Sequence, residues 1–158
     1  MILIIDDDYD IASLVRISLE KVGHSAVSFT NPLSALEEFK QKPFNYEVVI
    51  SDIRMPDMNG YELAKQVKML NPNVNVILII AFETEYKEID STMQSMKIDG
   101  FLQKPFSMSK LTGMLEKISQ CRTIILLLLL MMSMSLQHST TIVSVIIMQY
   151  SPNFIVNL

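Results

Sequence analysis

The sequence predicts an α/β fold, a doubly wound five-stranded parallel sheet with helices on both faces, followed by an uncharged hydrophobic C-terminal extension. Three observations carry this. Short β-branched runs alternate five times with stretches of helical period. Five β-then-α units in succession call for a parallel sheet, and right-handed crossovers make double winding the natural solution. Finally, the charge stops: all 30 charged side chains lie between Asp6 and Arg122, and the last 36 residues hold no Lys, Arg, Asp or Glu. Residues 1–121 therefore read as a domain and 122–158 as a tail of different character.

The elements follow in order. Strands are expected at 2–5 (ILII), 25–29 (SAVSF), 46–51 (YEVVIS), 75–80 (NVILII) and 99–102 (DGFL). In the first helix Ile11, Leu14, Val15, Ser18 and Val22 share one face. Asn31 before Pro32 is a cap and first-turn signal for the second, with Leu33, Leu36 and Phe39 behind it. Leu63, Val67 and Leu70 mark the third, stopped by Pro72. A fourth is expected around 84–96, where Glu83, Glu85 and Glu88 suit the positive end of a helix dipole. Ser107 reads as the cap of a fifth helix carrying Leu111, Leu115 and Ile118.

Composition narrows the function. A net charge of −4 and a pI near 5.1 argue against broad attraction to nucleic-acid phosphate, and no helix-turn-helix pattern is present. The lone Cys121 leaves no internal disulfide, so a reduced, cytoplasmic setting is expected. The opening apolar run is too short for a secretory signal and leads straight into acid. His24 and His138 stand in no catalytic context and read as structural or solvated.

The chemistry gathers at one edge. In doubly wound sheets the functional crevice lies beyond the carboxyl ends of the strands. Asp6 and Asp7 follow the first strand, Asp52 the third, and Lys104 the fifth. Packed carboxylates raise each other's pKa unless a cation neutralises them. Mg²⁺, a hard ion taking one or two carboxylates plus water and phosphate oxygens, does so. A carboxylate beside it can attack phosphorus and form an acyl phosphate, with a lysine pairing to the phosphoryl oxygens. Such transfer depends mostly on positioning and charge stabilisation. Taken singly, Asp6–Asp8 read as a helix-start acid cluster, Asp52 as a turn cap and Lys104 as a surface lysine; jointly these readings require a coincidence at one sheet edge. Asp57, Asn59 and Gly60 read as loop-shaping residues that start a helix.

The stretches "ILIIDDD", "VVISDIRMPDMNG" and "DGFLQKPF" resemble the receiver domain of two-component response regulators, the CheY-like family, over about residues 1–120. The resemblance implies a flavodoxin-like (βα)5 fold with strand order 2-1-3-4-5. It makes Asp52 the phosphoacceptor, loaded from a sensor histidine kinase or phosphotransfer protein. It makes Asp6 and Asp7 the acidic pair for Mg²⁺, Asp7 the direct ligand of the two, with Asp52 and the backbone carbonyl of Arg54 as further ligands. Lys104 becomes the phosphoryl-binding lysine, Pro105 the proline of a Lys-Pro pair often cis in the family, and Asp8 a supporting acid. Phe101 matches the switch aromatic. One position departs: where the family carries Thr or Ser at the end of the fourth strand, this chain has Ile80, which has no donor for a phosphorylated aspartate. Phe82, two positions on, is read as a shield against attacking water. Output is expected through a protein partner on the face of the fourth helix, fifth strand and fifth helix, with no direct nucleic-acid contact. The chain thus reads as a signalling phosphoacceptor, not an enzyme on external substrate. The alternative is a pseudo-receiver, a protein-interaction module indifferent to phosphate.

The tail allows three readings. Residues 124–148 hold 17 apolar residues and no charge, and as a helix would reach roughly 37 Å. Lys117 and Arg122 just before it suit a cytoplasmic flank, so this segment could tether the domain to a membrane. Its apolar runs are short and interrupted, which fits a packed extension instead. A frameshift or read-through product is the third reading.

Overall fold

The computed structural model describes residues 1–81 and 98–134. The predicted helix at 84–96, Phe82, and the tail beyond Met134, including His138, lie outside the described residues. The elements run β1 (Ile2–Ile5), α1 (Tyr9–Lys21), β2 (Ala26–Phe29), α2 (Pro32–Gln41), β3 (Val48–Asp52), α3 (Gly60–Leu70), β4 (Asn75–Ile80), β5 (Gly100–Gln103) and α4 (Met108–Met134). All strand pairs are parallel and the sheet order is β2-β1-β3-β4-β5, as the resemblance implies.

The central strands are largely apolar because a parallel sheet is covered on both faces. Every residue of β1 and β3 is buried. Side chains alternate between the faces. Leu3, Ile5, Val49, Val76, Leu78 and Ile80 join one cluster with Leu36 and Phe39 of α2 and Leu63 and Val67 of α3. Ile4, Ile50, Ile77 and Ile79, equally buried, occupy the alternate positions.

Local sequence sets the helix starts. The Asn31 side chain accepts from the Ser34 N–H at 2.9 Å, and Pro32 fills the first turn, where its missing N–H costs nothing. Asn59 caps α3 through the Glu62 N–H at 2.9 Å. The Ser107 hydroxyl accepts from the Lys110 N–H at 3.3 Å.

Four sequence expectations need correction. The buried stripe of α1 is Ala12, Val15 and Leu19, whereas Leu14 and Val22 are 62% and 59% exposed. The inward stripe is therefore set one position away from Leu14, and Val22 lies past the last turn as the C-cap. Leu33 and Leu70 are likewise exposed, with Ala35 and Ala64 inward beside the expected core residues. Asp52 is the last residue of β3 rather than the first after it, paired in register with Ile79.

The chain divides into two compact units, Met1–Thr112 and Gly113–Leu158, the division falling within α4. The first holds the whole sheet and α1 to α3; Leu111 of α4 is fully buried in it. In the second, α4 continues to Met134. Among the described residues no helix is long and apolar enough to cross a membrane.

Candidate functional site

Three carboxylates at the end of β1 take three different environments. The Asp6 N–H donates to the Phe29 carbonyl at 3.2 Å, continuing the sheet and carrying the side chain inward to 1% exposure. Its Oδ1 accepts from the Asp8 N–H at 3.0 Å. Asp8 is the N-cap of α1, accepting from Asp10 and Ile11 N–H groups at 2.9 and 3.3 Å. Asp7, between them, is exposed. The like charges are thus separated by direction, one inward, one onto a helix terminus and one to solvent.

Asp52 arrives from β3. Its Oδ2 accepts from the Arg54 N–H at 2.7 Å, and the Ser51 hydroxyl donates to its carbonyl at 2.9 Å. Lys104 arrives from the loop after β5. Its N–H donates to the Ile80 carbonyl at 2.7 Å, and the Lys104–Pro105 peptide is cis. Its Nζ donates to Asp52 Oδ1 at 2.6 Å and to Asp6 Oδ2 at 2.8 Å, one ammonium between two buried acids. Burial acts on Asp6 most strongly and raises its pKa, outweighing the hydrogen bond from Lys104. Burial also works to lower the Lys104 pKa, but hydrogen bonds and attraction from Asp52 and Asp6 prevail and raise it.

The loop after β3 was legible in outline only. Asp57 adopts the left-handed conformation at φ 67°, tolerable for an aspartate, and its Oδ2 accepts from the Asn31 amide at 3.4 Å. Gly60 has a sharper role than helix start. A Cβ there would overlap the Asp52 carbonyl oxygen and come within 2.9 Å of Ile53 Cα. The Gly60 N–H donates to the Ile53 carbonyl at 2.9 Å, so the first turn of α3 lies directly on the backbone that carries Asp52. A lone Gly opening a proline-free helical run is the visible signal; the close approach is tertiary.

Ile80 is fully buried within the apolar cluster that also takes in Phe101 at its margin. Its contribution to the site is its carbonyl, which anchors the Lys104 backbone. Sequence reading also missed the Arg54 N–H, because a backbone donor leaves no trace in residue identity.

The donor set fits Mg²⁺. Asp6 and Asp52 already converge on a single cation and offer hard carboxylate oxygens, and Mg²⁺ needs only one or two carboxylates. Among the described residues no three His, Cys, Asp or Glu side chains form a ready metal cage, and Asp7 stands outside the buried trio.

A parallel sheet of this order, with two buried acids and a lysine at its carboxyl edge, has the architecture of a CheY-like receiver domain. The chain belongs to that family: residues 2–116 match the response regulator receiver domain. It is 32% identical over 118 residues to the response regulator receiver protein CpdR of Brucella abortus, covering 74% of this chain and 94% of that one. It is 32% identical over 112 residues to the transcriptional regulatory protein ZraR of Klebsiella oxytoca, covering 70% of this chain but only 24% of ZraR. A receiver domain structure from Clostridium thermocellum superposes with a TM-score of 0.71 at 22% identity, over 78% of this chain and 97% of the other, a likeness of fold. Receiver domains are signalling phosphoacceptors of two-component systems, generally Mg²⁺-dependent and served by histidine kinases or phosphotransfer proteins.

Proposed function

We propose that Asp52 is the phosphoacceptor of this domain, and the bridging of Asp6 and Asp52 by the Lys104 ammonium is the observation that carries the reading. A carboxylate oxygen of Asp52 attacks the phosphorus of a phosphohistidine. The new O–P bond forms as the P–N bond breaks, and the electron pair leaves on the imidazole nitrogen, which takes up a proton. The Arg54 N–H fixes the carboxylate's orientation during attack. Lys104, freed from Asp52 as the acyl phosphate forms, turns to the phosphoryl oxygens. Asp6, Asp7, Asp52 and the Arg54 carbonyl would hold Mg²⁺, which when bound neutralises phosphoryl oxygen charge. Output passes to a protein partner, in the cytoplasm. Incubating the full chain with Mg²⁺ and a small phosphodonor, and reading the intact mass, tests this. An adduct that vanishes in Asp52→Asn is expected; an adduct that persists, or none in the wild type, overturns it.

A second reading, a module whose state ignores phosphate, rests on Ile80. Its fully buried side chain lacks the hydroxyl that would bond a phosphorylated Asp52. That bond is worth roughly 1.5–3 kcal/mol to a charged group, against about 5.5 kcal/mol needed to move an equilibrium from 1:99 to 99:1. Phosphorylation with a blunted response is therefore expected. Ile80→Thr should enlarge the phosphate-induced change in backbone NMR shifts; an equal response in both chains rejects the blunting.

A further inference from the structure

The end of α4 plays no part in the site at the sheet edge. Ile125, Leu126, Leu127 and Leu129 are 44%, 60%, 53% and 58% exposed. At 3.6 residues per turn these four spread over roughly 200° of the helix circumference. A helix that meets one partner helix shows a narrow apolar stripe and keeps its remaining surface polar. Here these four side chains face outward in several directions, with Ile124 and Leu128 half-buried on the remaining side, so a second copy of the chain would cover one stripe and leave the others in water. A medium that surrounds the helix satisfies them all.

Charge points the same way. Between Thr123 and Leu158 there is no Lys, Arg, Asp or Glu, while Lys117 and Arg122 stand at the near boundary. An apolar helix end with basic residues at its entrance has the pattern of a segment entering hydrocarbon below an anionic headgroup layer. Residues 123–134 reach roughly 18 Å along the axis, against roughly 30 Å of bilayer hydrocarbon.

We propose that the charge-free end of α4, from Thr123 to Met134, docks into a lipid bilayer and tethers the domain to a membrane surface. The tether is independent of phosphate chemistry, so its failure and the failure of the Asp52 reading are separate outcomes. The test is flotation of the full 158-residue chain with phosphatidylcholine–phosphatidylglycerol vesicles, without Mg²⁺ or phosphodonor. The wild type is expected to float. Leu126→Asp combined with Leu129→Asp should lower the ratio of bound to free protein at least tenfold, with the far-UV signal and unfolding midpoint unchanged. Gln120→Asn, an uncharged change before the segment, should float like the wild type. Flotation of the double aspartate variant, a wild type that stays with the soluble fraction, or a defined dimer that ignores vesicles would each overturn the proposal.

Discussion

The carboxyl edge of the sheet and the end of α4 are opposite solutions to placing charge. At the edge, Asp6 and Asp52 are buried at 1% and 7% exposure and share one ammonium. At the helix end, Leu126, Leu127 and Leu129 are more than half exposed and charge is absent. Burying acids costs free energy unless a cation and hydrogen bonds answer it, so that arrangement requires several elements to cooperate. The leucine end requires none of them. The edge is specified by tertiary structure, the helix end by local composition.

Substitutions that alter charge should therefore act very unequally in the two regions. The largest effect is Asp52→Asn, which should abolish phosphoryl incorporation entirely while the domain stays folded. Next, Lys104→Met leaves two acids facing each other and should cost about 2 kcal/mol in urea unfolding. That is below the roughly 3–5 kcal/mol of fully buried pairs because the ammonium is a quarter exposed. It should also flatten the alkaline limb. With its folded pKa raised by Asp52 and Asp6 above 10.5, Lys104 contributes stability that is complete below that pH and lost as pH rises through the folded value. Gly60→Ala forces a methyl against the Asp52 carbonyl and should cost about 1–2 kcal/mol, read as a lower thermal midpoint.

Tyr46→Phe separates the site from the rest of the core. Burial, helped by the Glu38 carboxylate at 3.0 Å, pushes the Tyr46 phenol from 10.0 to about 12. Its stabilisation is full below pH 10.0 and lost as pH rises through about 12, so the variant should lack that loss and cost about 1 kcal/mol at neutral pH. The smallest effect is expected at the helix end. Leu127→Lys should change unfolding of the sheet domain by less than about 0.5 kcal/mol, as exposed substitutions do. A larger change would mean that the leucine surface supports the folded domain.

Much of this was readable from residue order. Short β-branched runs located all five strands, and residue identity located the caps at Asn31 and Ser107, because those signals are local. The joint placement of Asp6, Asp52 and Lys104 at one edge followed from strand ends in a parallel sheet. Other features lay beyond sequence. Leu14 and Ala12 compete for the inward position of α1, and packing rather than hydrophobicity chose the smaller residue. The Arg54 N–H and the Ile80 carbonyl are backbone groups that any residue supplies. Asp7 and Asp8, identical in sequence to Asp6, differ from it only through the direction the chain takes on leaving β1.

The Lys104 bridge also has a temporal meaning. It joins residues 98 and 52 positions apart, the last strand reaching back to the first and the third. Contacts of such separation carry a large loop-closure cost and form late. A chain still emerging from the ribosome carries both acids long before it carries their lysine. The acid–lysine centre therefore comes into existence only with a completed sheet.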